Sequence, residues 1–260
     1  MESEREGARL EGKTDAAEAQ RQLRAVGLCE GMCALDVGCG SGAVARVMAH
    51  LAAPGRAVGL DVSDLRAALA RTLAEKAGIV AEFVAGDAAR MPFADGEFDF
   101  TWSRFLFEYL PDRRAVLAEM QRVTRPGGVV VVADLDGQLS SFYPLEPGLA
   151  AEWETGLALI RRGGFDSEVG RKLYGDFLAA GLEQLSVTIQ PHQVYAGGLP
   201  ERDRANWTEK LTTACARLVA VTGEKPRWAA LRDRMLARLA EPDLFYYSTL
   251  ITVRGVCPQR

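Results

Sequence analysis

The segment Ala34-Leu35-Asp36-Val37-Gly38-Cys39-Gly40-Ser41-Gly42-Ala43-Val44 constrains the fold more than any other part of the chain. An apolar run ends in an acid, alternating glycines follow, and helical periodicity begins at once. That order reads as a strand passing through a tight turn into a helix. Glycine permits backbone angles and close approach that a side chain would block. The first N–H groups of a helix have no partner within it, so they face whatever the turn holds.

The same unit recurs. The sequence predicts a helix over 15–26, ended by Gly27, then strands near 33–37, 57–60, 81–85, 98–102 and 129–133. Helices are expected over 43–53, from Ser63 to Gly78 with Leu65, Leu69 and Leu73 on the buried face, and over 112–123. Strands alternating with helices at this spacing make βαβ units around a parallel sheet. Strands that are apolar throughout suit a sheet covered on both faces. The fold class expected is therefore α/β, Rossmann-like, with helices on both faces.

After residue 137 the rhythm changes. A loop over 138–148 precedes helices near 149–162 and 166–180, and an alternating strand is expected over 182–190. A last strand is expected over 244–253. The residues between read as helical over 202–221 and 226–239. A structureless loop of ~50 residues is improbable in a compact domain, so 191–243 reads as a helical lid. The expected organisation is an N-terminal helical segment (1–28), a core (29–190 plus 244–260) and the lid insertion (191–243).

A net charge of −4 and a pI near 5.4 argue against a nucleic-acid-binding surface. No apolar run approaches the ~18 residues that span a bilayer. Met1 to Gln20 is rich in charge and lacks the apolar region of a secretory signal. Five cysteines (Cys29, Cys33, Cys39, Cys215, Cys257) form no C-x-x-C pair, which suits reduced thiols in the cytoplasm and no metal site.

Gly38-x-Gly40-x-x-Ala43 alone fits the dinucleotide fingerprint weakly. Three acids sharpen the reading. Asp36 ends the first strand, Asp61 the second and Asp87 the third. Asp61 can accept hydrogen bonds from both ribose hydroxyls, and Asp87 from an adenine amino group. Ligands of open α/β sheets bind outside this edge. Clustered carboxylates suit a cationic ligand better than a pyrophosphate.

Leu35-Asp36-Val37-Gly38-Cys39-Gly40-Ser41-Gly42 resembles motif I of the class I S-adenosylmethionine-dependent methyltransferases. Gly59-Leu60-Asp61-Val62-Ser63 is similar to their ribose-binding strand end, and Gly86-Asp87-Ala88-Ala89-Arg90-Met91-Pro92-Phe93 to their adenine-binding segment. Phe98-Asp99-Phe100 and Arg125-Pro126-Gly127-Gly128 match the motifs around strands four and five. The resemblance covers about residues 30–135 in order and spacing. It implies seven strands, the last antiparallel and beside strand five, and S-adenosyl-L-methionine as cofactor. It further implies that Asp36, Gly38, Cys39 and Gly40 hold the methionine part, Asp61 the ribose and Asp87 with the Ala88 N–H the adenine edge. Val62 would lie against the adenine, and Ser103 would line the methionine end by its backbone. Asp36 can equally tie down loop amides, and Asp61 and Asp87 can be ordinary strand-end acids.

A sulfonium methyl is already activated, so alignment of the acceptor is the main requirement, and alignment supplies on the order of 7–11 kcal/mol. A base adds roughly 10²–10⁴-fold where the acceptor has a proton to lose. Candidates are His192 and Asp134, with loop roles as their alternatives. Arg104-Phe105-Leu106-Phe107-Glu108-Tyr109 departs from the histidine-bearing versions common in relatives. Arg104, Phe107, Glu108, Asp136 and Tyr143 are candidates for the substrate pocket; Trp153 and Tyr174 could wall it or belong to the core. Ser103-Arg104-Phe105-Leu106 lacks the [N/D]-P-P-[Y/F] motif of nucleobase-amine methylating enzymes, and the Pro-Cys pair of cytosine C5 enzymes is absent. The expected substrate is a small organic metabolite, with no nucleic-acid or membrane partner, and the protein a monomer or homodimer. A cyclase keeping the cofactor as structure, an NAD-dependent oxidoreductase and a non-catalytic binding module are the alternatives.

Overall fold

The computed structural model describes residue 11 and residues 14–259. The rest of the polar N-terminal stretch of the expected 1–28 segment lies outside the described residues.

Helix α1 (Ala16–Ala25) begins at Asp15, whose carboxylate accepts the N–H groups of Ala17 at 2.8 Å and Glu18 at 3.1 Å. Such a cap satisfies donors the helix cannot. The repeat that follows is β1 (Cys33–Val37), α2 (Ala43–Ala52), β2 (Arg56–Asp61), α3 (Asp64–Lys76), β3 (Glu82–Ala85), β4 (Phe98–Arg104), α4 (Arg113–Val123) and β5 (Thr124–Asp136). A short 3₁₀ turn, Phe107–Tyr109, follows β4. Then come β6 (Phe142–Tyr143), α5 (Pro147–Arg162), α6 (Gly170–Ala179), β7 (Glu183–Ala196), α7 (Glu201–Thr222), α8 (Lys225–Leu239) and β8 (Phe245–Val256).

The sheet runs β3-β2-β1-β4-β5-β8, with β7 along the other side of β8. β1 to β5 are parallel, and β8 is antiparallel to both its neighbours. The order reverses between β1 and β4, which opens the crevice where such sheets bind ligands. There Val37 lies level with Leu60 on one side and Ser103 on the other.

Alternation along the strands divides the core. Leu35, Val37, Val58, Leu60, Val130 and Val132 face α4 and α6, where Leu117, Met120, Leu173 and Phe177 meet them. Ala34, Phe100, Trp102, Val131 and Ala133 face α1 and α2, through Leu23 and Met48. A third apolar cluster joins α5, α7 and α8 to the ends of β6, β7 and β8, around Trp153, Trp207, Trp228 and Tyr246.

Four expectations need correction. The sheet has eight strands rather than seven, because Phe142–Tyr143 pairs with β8 beyond the end of β5 in what was expected to be loop. β7 continues past 190 to Ala196, six residues into the stretch expected to be inserted helix. β8 runs to Val256 rather than 253. Helix α3 buries Ala67, Ala70 and Ala74, while Leu65 is 64% exposed. Small side chains are required on that face: a Cβ at Gly42 would lie 2.9 Å from the Ala70 Cβ and 2.5 Å from the Phe83 ring. Among the described residues no helix is long and apolar enough to cross a membrane.

Candidate active site

The turn after β1 carries Gly38, Gly40 and Gly42 at φ of 78°, 56° and 77°, a left-handed backbone that other residues adopt at a cost. A Cβ at Gly38 would also lie 2.8 Å from Leu106. The Leu60 carbonyl accepts the N–H groups of Gly38 (2.7 Å) and Cys39 (2.9 Å). Asp61 completes the cradle. Its Oδ2 accepts the Gly40 N–H at 2.9 Å and its Oδ1 the Ser63 N–H at 3.0 Å, with Arg66 at 3.7 Å. The carboxylate at the end of β2 therefore orients both the glycine turn and the start of α3.

Asp36 is 3% exposed, and its Oδ2 has no hydrogen-bond partner. Burial pushes its carboxyl up to about 7 against the pull of Arg104, with Asp61 adding to the rise. Burial in turn lowers Arg104, and Asp36 opposes that. The Arg104 guanidinium donates to Thr14 Oγ1 at 3.1 Å and lies 5.0 Å from the Phe105 ring centre. Phe105 itself is left-handed at φ 58°. Val62 is 76% exposed beside Asp61. Asp87 is exposed, accepting the Ala89 N–H at 2.9 Å, and Ala88 packs at the edge of the core. The Ser103 hydroxyl is buried and donates to the Val37 carbonyl at 3.0 Å, clasping β4 to β1, which leaves only its backbone for a ligand. Burial holds the Cys39 thiol well above its ordinary value, so it is a packing group.

A pH dependence follows. The folded chain keeps Asp36 protonated up to about 7 where its ordinary value is 3.8. It therefore binds more protons than the unfolded chain across that window, and stability falls as pH rises through it. Burial raises Asp134 too, so its effect has the same sign. Asp36→Asn should flatten the fall in melting temperature between pH 4 and pH 7 and leave the ligand-free protein at least as stable as wild type at pH 8. Thermal melts across that range check it; an unchanged slope would remove Asp36 as a cause.

The acceptor-side candidates separate. Asp134 is fully buried; it accepts the N–H groups of Leu135 at 2.7 Å and Glu108 at 3.2 Å and caps the 3₁₀ turn. That is positioning work and does not suit a proton acceptor for a substrate. Asp136 is held by the Arg171 guanidinium (2.6 Å) and N–H (2.8 Å). Phe107 is buried in the core beneath the turn. Glu108 is buried, its carbonyl accepting the Asp166 N–H at 2.8 Å. Tyr143 is 74% exposed on β6, Trp153 belongs to the core, and Tyr174 is half exposed. His192 lies on β7 with its ring 5.5 Å from that of Phe105, the residue that follows Arg104 in the chain. Among the described residues no group of three or more His, Cys, Asp or Glu side chains could hold a metal ion.

Thr14, which meets Arg104, carries no sequence signal of its own; a lone threonine is unremarkable until the fold brings it to the guanidinium.

Residues 35–132 match a family described as Methyltransferase domain. This stretch is a class I S-adenosylmethionine-dependent methyltransferase domain. Tocopherol O-methyltransferase of Arabidopsis thaliana is 33% identical over 129 residues, covering 49% of this chain and 34% of that protein. The 2-methyl-6-phytyl-1,4-hydroquinone methyltransferase of Synechocystis is 33% identical over 137 residues, covering 52% and 42%. The chain thus spans less than half the length of these curated relatives. Phosphoethanolamine N-methyltransferase 2 of Haemonchus contortus, solved with S-adenosyl-L-methionine, shares the fold at TM-score 0.59 and 17% identity, over 94% of this chain and 53% of that one. In the methyltransferase domain here, the matched residues begin in β1 and end in β5, so they contain the glycine turn and all three strand-end acids.

Proposed function

We propose that the protein binds S-adenosyl-L-methionine at the glycine turn and transfers its methyl group to a small organic acceptor by in-line attack. The observation that carries this reading is the set of acids at the ends of three adjacent strands, Asp36, Asp61 and Asp87, with one buried Asp36 oxygen left unpartnered. A cationic tail fits that oxygen, and a pyrophosphate does not. Asp36 would hold the ammonium group, Asp61 the ribose hydroxyls, and Asp87 with the Ala88 N–H the adenine. The glycines let the backbone approach the tail, and Ser103 presents its backbone to the sulfur end. The cofactor supplies a methyl group on a positively charged sulfur. The chain's part is to exclude water and align the acceptor, with His192 the remaining candidate to take a proton from it.

The relatives' names, tocopherol and hydroquinone methyltransferases, support an acceptor bearing an apolar ring. The test is calorimetry with S-adenosylhomocysteine and NAD, followed by transfer of a labelled methyl group to a panel of small phenols, acids and amines. Binding of S-adenosylhomocysteine alone and label in a product are expected. Tight binding of NAD in its place would overturn the reading, and product formed without label would favour a cyclase.

A further inference from the structure

A cleft of about 400 Å³ opens beside the turn that follows β4. Small-molecule pockets span roughly 300–1,000 Å³. Tyr109, Ile160, Phe165, Leu218 and Val221 supply apolar wall, and Arg217 of α7 is its one charged side chain. The Arg217 guanidinium carbon lies 5.0 Å from the Phe165 ring centre and 5.5 Å from that of Tyr109. The two rings are 5.3 Å apart. Aromatic rings hold a guanidinium through its face. Its N–H edge then remains available to a planar anion, for which a carboxylate is the matching partner. Among the described residues no carboxylate makes an ion pair with Arg217, although most arginines of the chain have one.

One side of this cleft is fixed to the sheet edge where the cofactor is proposed to lie. The Asp166 N–H donates to the Glu108 carbonyl, and the Glu108 N–H donates to Asp134 at the end of β5. Tyr109 and Phe165, the chain neighbours of these residues, are thereby held at the ends of β4 and β5. The opposite wall belongs to α7.

We infer that this cleft seats the acceptor, and that the acceptor has a flat apolar body and one carboxylate, paired with Arg217. The word acceptor rests on the methyl-transfer reading; the ligand chemistry does not. The aromatic rings take the flat body, and the guanidinium edge selects acids over neutral molecules of the same shape.

The probes are 2-naphthoate and its uncharged twin 2-naphthamide, titrated by calorimetry into the full chain with and without S-adenosylhomocysteine. The acid should bind at least tenfold more tightly than the amide. Arg217→Gln should bring the two within twofold, with amide and S-adenosylhomocysteine affinities unchanged, which also shows that the variant is folded. Phe165→Ala should weaken both probes. No preference for the acid in wild type, a preference kept by Arg217→Gln, or no binding of either probe would each overturn the inference. A chain that binds naphthoate selectively but ignores S-adenosylhomocysteine would overturn the methyl-transfer reading and leave the anion site standing.

Discussion

Asp61→Ala is expected to weaken S-adenosylhomocysteine binding at least 100-fold. The carboxylate accepts two backbone N–H groups, one from the glycine turn and one from the start of α3. Hydrogen bonds to a charged group contribute about 1.5–3 kcal/mol each, and 1.4 kcal/mol is a factor of ten in affinity. Losing both relaxes the cradle, and the same change removes the proposed ribose acceptor. Asp61→Asn separates these effects. Its amide oxygen can still accept one N–H, so the turn is largely kept while the diol loses an ionised partner. Calorimetry should rank wild type above Asn above Ala. Affinities for the alanine variant within threefold of wild type would sink the ribose assignment.

Trp207→Ala should be the most destabilising single change in the helical layer. Trp207 is fully buried, with its ring centre 4.8 Å from Tyr246 and 5.7 Å from Phe142, and its indole N–H reaches the Tyr195 hydroxyl at 3.4 Å. It thus joins α7 to β6, β7 and β8 at once. Truncating such a residue costs about 3–5 kcal/mol, because the cavity cannot collapse when its walls belong to several elements. Denaturant unfolding measures the loss. Hydrogen exchange should show amides of α7 and α8 losing protection while those of β1 and β4 keep theirs, since local opening follows the weakest cooperative unit. A loss below about 1 kcal/mol would mean that the layer is held by something other than this cluster.

The first half of the fold could be read from the chain because β1, β2 and β5 are apolar runs closed by an acid and β3 is closed by a glycine. That pattern puts the strand-end acids Asp36, Asp61 and Asp87 on one edge from the amino-acid order alone. Elsewhere, tertiary context overrode the local signal. Two residues of β6 are too few to show a period. β7 runs on through Pro191 because it is an edge strand whose outer side needs no donor, and the register shifts there between Pro191 and Gln193. The leucines of α3 gave way to alanines because Phe83 and the glycine turn already fill the space. Asp134 and Asp136 looked available because their backbone and Arg171 partners come from other elements. Arg217 gave no signal at all; only packing put it against two rings.

The threading of β8 between β5 and β7 sets the order in which the molecule can be completed during synthesis. β5 leaves the ribosome long before β8, with residues 137–244 between them. Until residue 245 and those after it emerge, β5 has one open side and β7 has no partner. A nascent chain that ends between residues 197 and 244 carries unpaired backbone on both strands, the kind of surface that invites wrong pairing. The glycine turn and its acids can be in place while the sheet that backs them is still open, so ligand-binding competence and resistance to aggregation are reached at different points of translation.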